Sequence, residues 1–336
     1  MNKVTIKDVA KEAGVSISTV SKVINNKGYI GKDSRDRVVK AIESLGYKVN
    51  ANARSLKSSK SNKVAVLISD ISNQYLMSIA KEIEKTIRGL GFHMILLSHS
   101  DDEEMEYAAL QIILEQQVAA LVVIPTGGNQ AVFQKMKESN FPLISIDREI
   151  EEVETDLIVD DNYYGSFESV RHLAELGHKR IGIIYGHTRN SVGRERYKGA
   201  IDAIKQFHLD SDPILKKETN FKEELAYWAT IELLRLPETP TAIYSSNNTM
   251  TKGVLKALRD HHVQIPKDIS VIAFGDQKQW ELVVPQLTLM AHPANRIGME
   301  ASIMLKNRLM LEDAYPEKKI VIKPNLMEGE TCRKIT

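Results

Sequence analysis

The side chains able to do chemistry gather at the ends of short apolar runs. In this chain of 336 residues, VAVLIS, HMILLS, AALVVI, LISID, RIGIIY, TAIYSS and ISVIAF run into Ser69-Asp70, Ser98, Pro125-Thr126, Asp147-Arg148, Gly186, Ser246-Asn247 and Gly275-Asp276. Asp160-Asp161-Asn162 closes one further segment of this kind. A carboxylate accepts two hydroxyl hydrogen bonds, and an amide both donates and accepts. Acids and amides with few apolar neighbours therefore suit a polyhydroxylated ligand. Tyr75, Phe221 and Trp280 fall near the same run ends, where an aromatic ring can stack on the apolar face of a sugar.

Motifs for turnover are missing. No G-x-G-x-x-G follows an apolar run, no G-x-x-x-x-G-K-[ST] occurs, and no serine sits in a G-x-S-x-G elbow. His178, His187 and His292 are scattered, and His261-His262 closes a helical stretch where a cation favours the helix dipole. The single cysteine, Cys332, cannot form an internal disulfide, and no Cys/His cluster has zinc-site spacing. The expectation is a binding protein rather than an enzyme, with no cofactor and no metal.

A second chemical surface lies near the start of the chain. Ser16 is placed to cap a helix whose inner stripe is Val20, Val23 and Ile24 and whose outer face is Ile17, Ser18, Ser21 and Lys22. A generic helical bundle does not need an outer face of short polar side chains and one cation, whereas such a face fits a major groove. Ile17, Ser18 and Lys22, with Asn25 nearby, are candidates for reading base edges. Thr5, Ser16, Thr19 and Ser21 suit phosphate contacts through hydroxyls or helix N-terminal amides. Charge agrees: residues 1 to 62 carry 13 Lys and Arg against five acids, so a basic head precedes an acidic remainder in a chain of net charge +1.

The elements that hold these surfaces are legible from periodicity. Thr5 and Asp8 form a capping-box pattern ahead of Ile6, Val9, Ala10 and Ala13, with Gly14 as a stop. A third helix is expected from Asp33 to Leu45, with Val38, Ile42 and Leu45 inward and Gly46 ending it. Three helices with a tight first turn make a helix-turn-helix. Residues 50 to 62 (NANARSLKSSKSN) have linker composition after one helix-prone stretch, Ala51 to Lys57. About seven residues are too few to hold a helix alone in water. From residue 63, apolar runs alternate with helical patterns at Leu76 to Leu90, Glu103 to Gln116, Gly165 to Leu176 and Met250 to His261. That is a parallel-sheet pattern repeated twice, and it predicts two doubly wound α/β lobes with ligands beyond the carboxyl ends of the strands.

The expected division is 1–49 for the head, 50–62 for hinge and linker, and 63–336 for the body. The first lobe takes about 63–162 and 293–325, and the second about 163–292 with the C-terminal end. The apolar run from Met290 to Leu311 is expected to cross back to the first lobe. The charged start and the absence of a membrane-length apolar run point to a cytoplasmic, nucleoid-associated protein.

The run TIKDVAKEAGVSISTVSKVIN, followed by RVVKAIESLGY and ARSLKS, closely resembles the N-terminus of the LacI/GalR family of repressors. DISNQY is similar to the family's usual DISNPF, and the resemblance covers nearly the whole chain. It implies a homodimer on palindromic operator DNA and a body like the periplasmic sugar-binding proteins. It also implies hinge helices that meet in the minor groove, where Leu56, flanked by Ala53 and Arg54, pries apart a base step. The other use for Leu56 is packing on the body. On the family pattern Ser72, Asn73 and Tyr75 lie on the first-lobe wall, Asp147 and Asp161 on the cleft floor, and Arg196 points in from the second lobe. Phe221, Asn247 and Asp276 fall where the family has a stacking aromatic and two polar anchors.

Three departures qualify the pattern: Val49 replaces a common proline, Lys22 a common arginine, and VIAFGDQ places Gly275 before Asp276. Lysine is a point charge rather than a flat bidentate reader, so operator preference does not transfer from relatives. The function expected is a transcription regulator, a repressor, controlled by a sugar-like effector. The alternatives are a sugar-binding protein and a regulator that answers to a partner protein. Helix residues Leu76 to Leu90 are expected to supply an apolar dimer patch. The lack of a leucine heptad after Met327 argues against a tetramer.

Overall fold

A computed structural model describes residues 4–24, 30–45, 61–310 and 316–335. The chain divides into two units, residues 1–61 and 62–336.

In the first unit, α1 (Ile6–Ala13), α2 (Ile17–Ile24) and α3 (Lys32–Leu45) pack around a small core. Thr5 caps α1, its backbone N–H donating to Asp8 Oδ2 at 2.8 Å and its hydroxyl to the same oxygen at 2.7 Å. Gly14 ends that helix at φ 62°, a left-handed turn glycine adopts without strain. Ser16 accepts from the Thr19 N–H at 3.1 Å, so the expected cap of α2 is in place. Val9, Ala10, Ala13, Val20, Val38 and Ala41 are buried, with Ile42 and Leu45 packed against them. Asn25, Gly46, Val49, Ala53, Arg54 and Leu56 lie outside the described residues, as does most of the linker.

The second unit is built on two six-stranded sheets. The first has the order β11-β5-β4-β3-β1-β2, with β1 (Lys63–Ile68), β2 (His93–Ser98), β3 (Ala120–Val123), β4 (Leu143–Ile146), β5 (Asp156–Asp160) and β11 (Lys319–Ile322), all parallel. Alternation along β1 serves both faces. Val64, Val66 and Ile68 meet Ile79, Ile83 and Ile87 of α4 (Gln74–Gly89) and Ile297, Ala301 and Leu305 of α12 (Ala294–Met310). Ala65 and Leu67 meet α5 (Glu103–Glu115) and α6 (Gln130–Glu138). Each such aliphatic side chain, fully buried, contributes about 1.5–3 kcal/mol of transfer free energy.

The second sheet runs β12-β10-β9-β8-β6-β7, from β6 (Ile181–Tyr185), β7 (Lys216–Glu218), β8 (Ala242–Ser245), β9 (Ser270–Gly275), β10 (Thr288–Ala291) and β12 (Asn325–Met327). Only β12, beside β10, is antiparallel. α7 (Asn162–Glu175) and α8 (Ser191–Gln206) cover one face, while α9 (Glu223–Leu234) and α10 (Asn248–Asp260) cover the other. A short α11 (Gln277–Trp280) follows β9.

The chain passes between the sheets three times, after β5, after β10 and after β11. Met290 and Ala291 still pair in the second sheet, and α12 then lies on α4 of the first. Gly298 permits this approach, because a Cβ there would come within 3.0 Å of the Glu82 Cβ.

One expectation fails. Leu76, Ile79, Ile83 and Ile87 of α4 point into the core, since α12 covers that face, so the helix offers no apolar patch. Exposed apolar side chains cluster instead on α5 (Met105, Tyr107, Ile112, Leu114) and on α12 (Met299, Ile303, Met310), with others such as Leu282 and Val284 elsewhere on the body. No described helix is long and apolar enough to cross a membrane.

Candidate functional site

The carboxyl ends of the two sheets face a cleft of about 320 Å³. From the first sheet come Ser69 and Asp70 after β1, Ser100 and Asp101 after β2, and Asp147 and Arg148 after β4, with Asn73, Tyr75 and Leu76 from the start of α4. From the second come Val192 and Arg196 of α8, the turn Asn220-Phe221-Lys222, and Asn247, Asn248 and Thr249 after β8. His292, at the crossover after β10, lies between them.

Arg196 is only 3% exposed. Its Nε donates to Asn162 Oδ1 and its Nη1 to the Ser246 carbonyl, both at 2.7 Å, and the guanidinium lies 3.9 Å above the Phe274 ring. Its direct partners are neutral acceptors and an aromatic face, and it forms no direct ion pair among the described residues. Nη2 is the donor left for the cleft, where no described residue hydrogen-bonds it. Across the cleft, the Tyr75 hydroxyl donates to Asp147 Oδ1 at 3.3 Å. Burial pushes the Asp147 carboxyl above its usual range, against the pull of Arg148 and Arg196. It also drives the Tyr75 phenol well upward, helped by the Asp160 and Asp147 charges. The carboxyl of Asp101 is opposed most by burial, yet the guanidinium of Arg148, bonded to it through both terminal nitrogens, holds it below the usual range.

Phe221 is presented by strain and by missing side chains. Asn220 and Phe221 both have positive φ, 50° and 58°, which costs a non-glycine residue free energy. Ser100, Asp101 and Asp147 on the opposite wall share this feature. A Cβ at Gly186 would lie 2.2 Å from the Phe221 ring, so only glycine there lets the ring stand where it does. His187 meets that ring edge-on at 5.0 Å, and burial lowers its pKa so that the neutral imidazole is favoured.

Of the residues expected here, Asn73, Tyr75, Asp147, Arg196, Phe221 and Asn247 line the cleft. Asn73 and Asn247 also cap α4 and α10 through their side-chain oxygens. Ser72, Asp161 and Asp276 do not line it. The Ser72 hydroxyl donates to Asp70 Oδ2 at 2.8 Å, and the side chain is exposed. Asp161 caps α7 by accepting from the Tyr164 N–H, and the buried neighbour is Asp160. Asp276 caps α11, and Asn248 Oδ1 accepts from its N–H at 3.0 Å and from the Trp280 Nε1–H at 2.8 Å. Trp280 is therefore a core residue rather than a stacking platform.

Sequence reasoning missed Asp101, His292, Asn220 and Lys222, and did not select Asp70 or Arg148 although both stood at run ends. His292 looks isolated in sequence because its partners, Tyr75 and Asp160, are far away along the chain. Glu106, a fully buried acid, is structural: it accepts from the Thr126 N–H and hydroxyl and from Asn129 Nδ2, at 2.7–2.8 Å. Among the described residues no group of three or more His, Cys, Asp or Glu could hold a metal ion.

On the head, Ile17 is 44% exposed, and Ser18 and Lys22 are exposed beside it on α2. Ser16 Oγ lies 2.7 Å from Ser18 Oγ and 2.8 Å from Thr19 Oγ1, so these hydroxyls satisfy one another in the free head. Thr19 and Ser21 are half-buried.

A helix-turn-helix head on a two-lobed, doubly wound body with an interlobe cleft defines a DNA-binding regulator with a ligand-sensing body. Residues 5–50 match the model of bacterial regulatory proteins of the lacI family, and residues 170–332 match that of a periplasmic binding protein-like domain. Over 334 residues the chain is 30% identical to the HTH-type transcriptional repressor PurR of Haemophilus influenzae, covering 98% of this chain and 99% of that one. The fold is shared with the Lac repressor dimer bound to operator and the anti-inducer ONPF, at a TM-score of 0.80 and 22% identity, over 98% of this chain and 99% of that one. It is shared as well with a complex of the transcriptional regulator CelR with cellobiose, at a TM-score of 0.72 and 24% identity, over 98% and 100% of the two chains. The protein belongs to the LacI family and is a DNA-binding transcription regulator.

Proposed function

We propose that this regulator is a repressor that binds a palindromic operator as a homodimer and responds to a small sugar-like effector in the cleft. The observation that carries the effector reading is the cleft's composition. Asp70 and Asp147 offer acceptors, Asn73, Asn247 and Arg196 offer donors, and Phe221 offers one flat apolar face, which is the combination a ring bearing several hydroxyls satisfies.

On the head, Ile17, Ser18 and Lys22 are the base-reading candidates, with Thr5, Ser16, Thr19 and Ser21 on phosphates. The hinge role of Ala53, Arg54 and Leu56 rests on the family resemblance. Replacing Leu56 by Ala should weaken operator binding and leave effector binding intact, and unchanged operator affinity would discard the wedge. Exposed apolar side chains on α5 are the dimer surface this reading favours.

The effector is tested by thermal shift of the full chain against sugars, sugar acids, sugar phosphates and planar heterocycles. A ligand that binds only the folded state raises the melting temperature by mass action. Stabilisation by a sugar, followed by changed operator affinity in its presence, supports the reading. A response confined to planar heterocycles would refute it.

A further inference from the structure

His292 occupies an unusual place. It sits on the crossover after β10, its ring stacks on Tyr75 at 4.2 Å, and its other side meets Phe274, which underlies Arg196. The His292 Nδ1 hydrogen-bonds Asp160 Oδ2, and Asp160 is the last residue of β5, where the chain leaves for the second sheet. The side chain of Asp160 is fully buried, and its second oxygen, Oδ1, has no hydrogen-bond partner among the described residues. The His292 Nε2 makes no hydrogen bond within the described residues, and the residue lines the cleft. The third crossover adjoins the same pair, since the Asp161 N–H donates to the Ile322 carbonyl.

We infer that Asp160 is a positioning residue: it clamps the His292 ring and so ties two of the three interlobe crossovers together where they leave β5 and β10, making one ring answer both to the cleft and to the crossovers. Asp160 touches no ligand in this reading. A buried carboxylate with a single partner is held in place by that partner, and the partner is held by it, because either one left alone is a desolvated polar group without compensation. With the carboxylate as acceptor, Nδ1 is the donor to Asp160, which leaves Nε2 as the ring nitrogen open to a ligand. An effector group that meets Nε2 therefore acts on the residue that joins the segments connecting the two lobes. The link to effector rests on the function proposed above, whereas the clamp does not.

The test needs no ligand, so its failure and the failure of the sugar reading are separate outcomes. Hydrogen exchange of the full chain is followed by mass spectrometry in wild type, Asp160→Asn, His292→Ala and His292→Gln. Exchange in peptides covering residues 158–165 and 288–296 should be roughly tenfold faster in Asp160→Asn and in His292→Ala, with peptides from β3 and β8 unchanged. His292→Gln, which keeps a donor for the carboxylate, should restore most of the protection. Selective 15N-histidine labelling adds a direct signature: a low-field Nδ1 proton assigned to His292 should be present in wild type and lost in Asp160→Asn. Unchanged exchange at the crossovers, equal acceleration throughout the body, or equal acceleration in the Ala and Gln variants would each overturn the clamp. If Asp160→Asn does not fold, the Ala and Gln pair decides.

Discussion

Replacing Arg196 by Ala removes the largest polar investment in the second-lobe wall. Two hydrogen bonds from a charged donor are lost, each worth about 1.5–3 kcal/mol, along with a guanidinium–ring stack worth about 0.5–2 kcal/mol. At 3% exposure, water does not readily replace them. The loss is on the order of 5 kcal/mol, which at about 2–3 °C per kcal/mol for a unit of this size lowers the melting temperature by roughly 10 °C. Arg196→Lys keeps the charge and reaches one acceptor, so about half of that loss is expected, and the Nη2 donor that faces the cleft disappears. Thermal unfolding of both variants, followed by circular dichroism, measures this, and the sugar screen repeated on Arg196→Lys measures the ligand role. An Ala variant melting within about 2 °C of wild type would refute the packing account. A retained sugar response in Arg196→Lys would remove this residue from the site.

Two further outcomes follow from the cleft. Burial raises the folded-state pKa of Asp147, so its contribution to stability is fully present below the unfolded carboxylate value and is lost as pH rises through the folded one. Asp147→Asn, which never ionises, should therefore be more stable than wild type at neutral pH and lose that advantage in acid, while binding effector less well. Parallel melting-temperature profiles across pH would contradict this. Gly186→Ala puts a Cβ 2.2 Å from the Phe221 ring, so the ring must leave its position. Ligand affinity should fall roughly tenfold with the circular dichroism spectrum retained, and unaltered affinity would show that the ring is not a platform.

The strands and the cleft were legible because parallel strands buried on both faces read as unbroken apolar runs, and because polar residues at their carboxyl ends need no further pattern to locate them. β7, with the sequence KKE, carried no such signal, being a charged edge strand three residues long. Asp161 and Asp276 illustrate a different limit. An acid before a helix can cap that helix or face a ligand, and the sequence is identical in both cases. Their side chains turned to the backbone of α7 and α11, and Asn248 rather than Asp276 became the hub beside Trp280. Asp101 and His292 were out of reach for a third reason. Their significance comes from contacts to Arg148, Tyr75 and Asp160, which only the folded topology brings near.

The placement of α12 and β11 has a consequence for how this protein is made. Both complete the first sheet's layer, yet they follow the entire second sheet's parallel core in the chain. On the ribosome, β5 ends at Asp160 and its neighbour β11 starts at Lys319, so that flank stays bare while about 160 residues are added. At about 5–20 residues per second this lasts on the order of ten to thirty seconds. During that interval the open flank of β5, and the apolar side of α4 that awaits α12, are templates for wrong partners. A transcript broken shortly before the codon for Ala294 would spare every strand of the second sheet except β12 and still leave the first lobe unfinished, with damage appearing at the part of the body that was synthesised first.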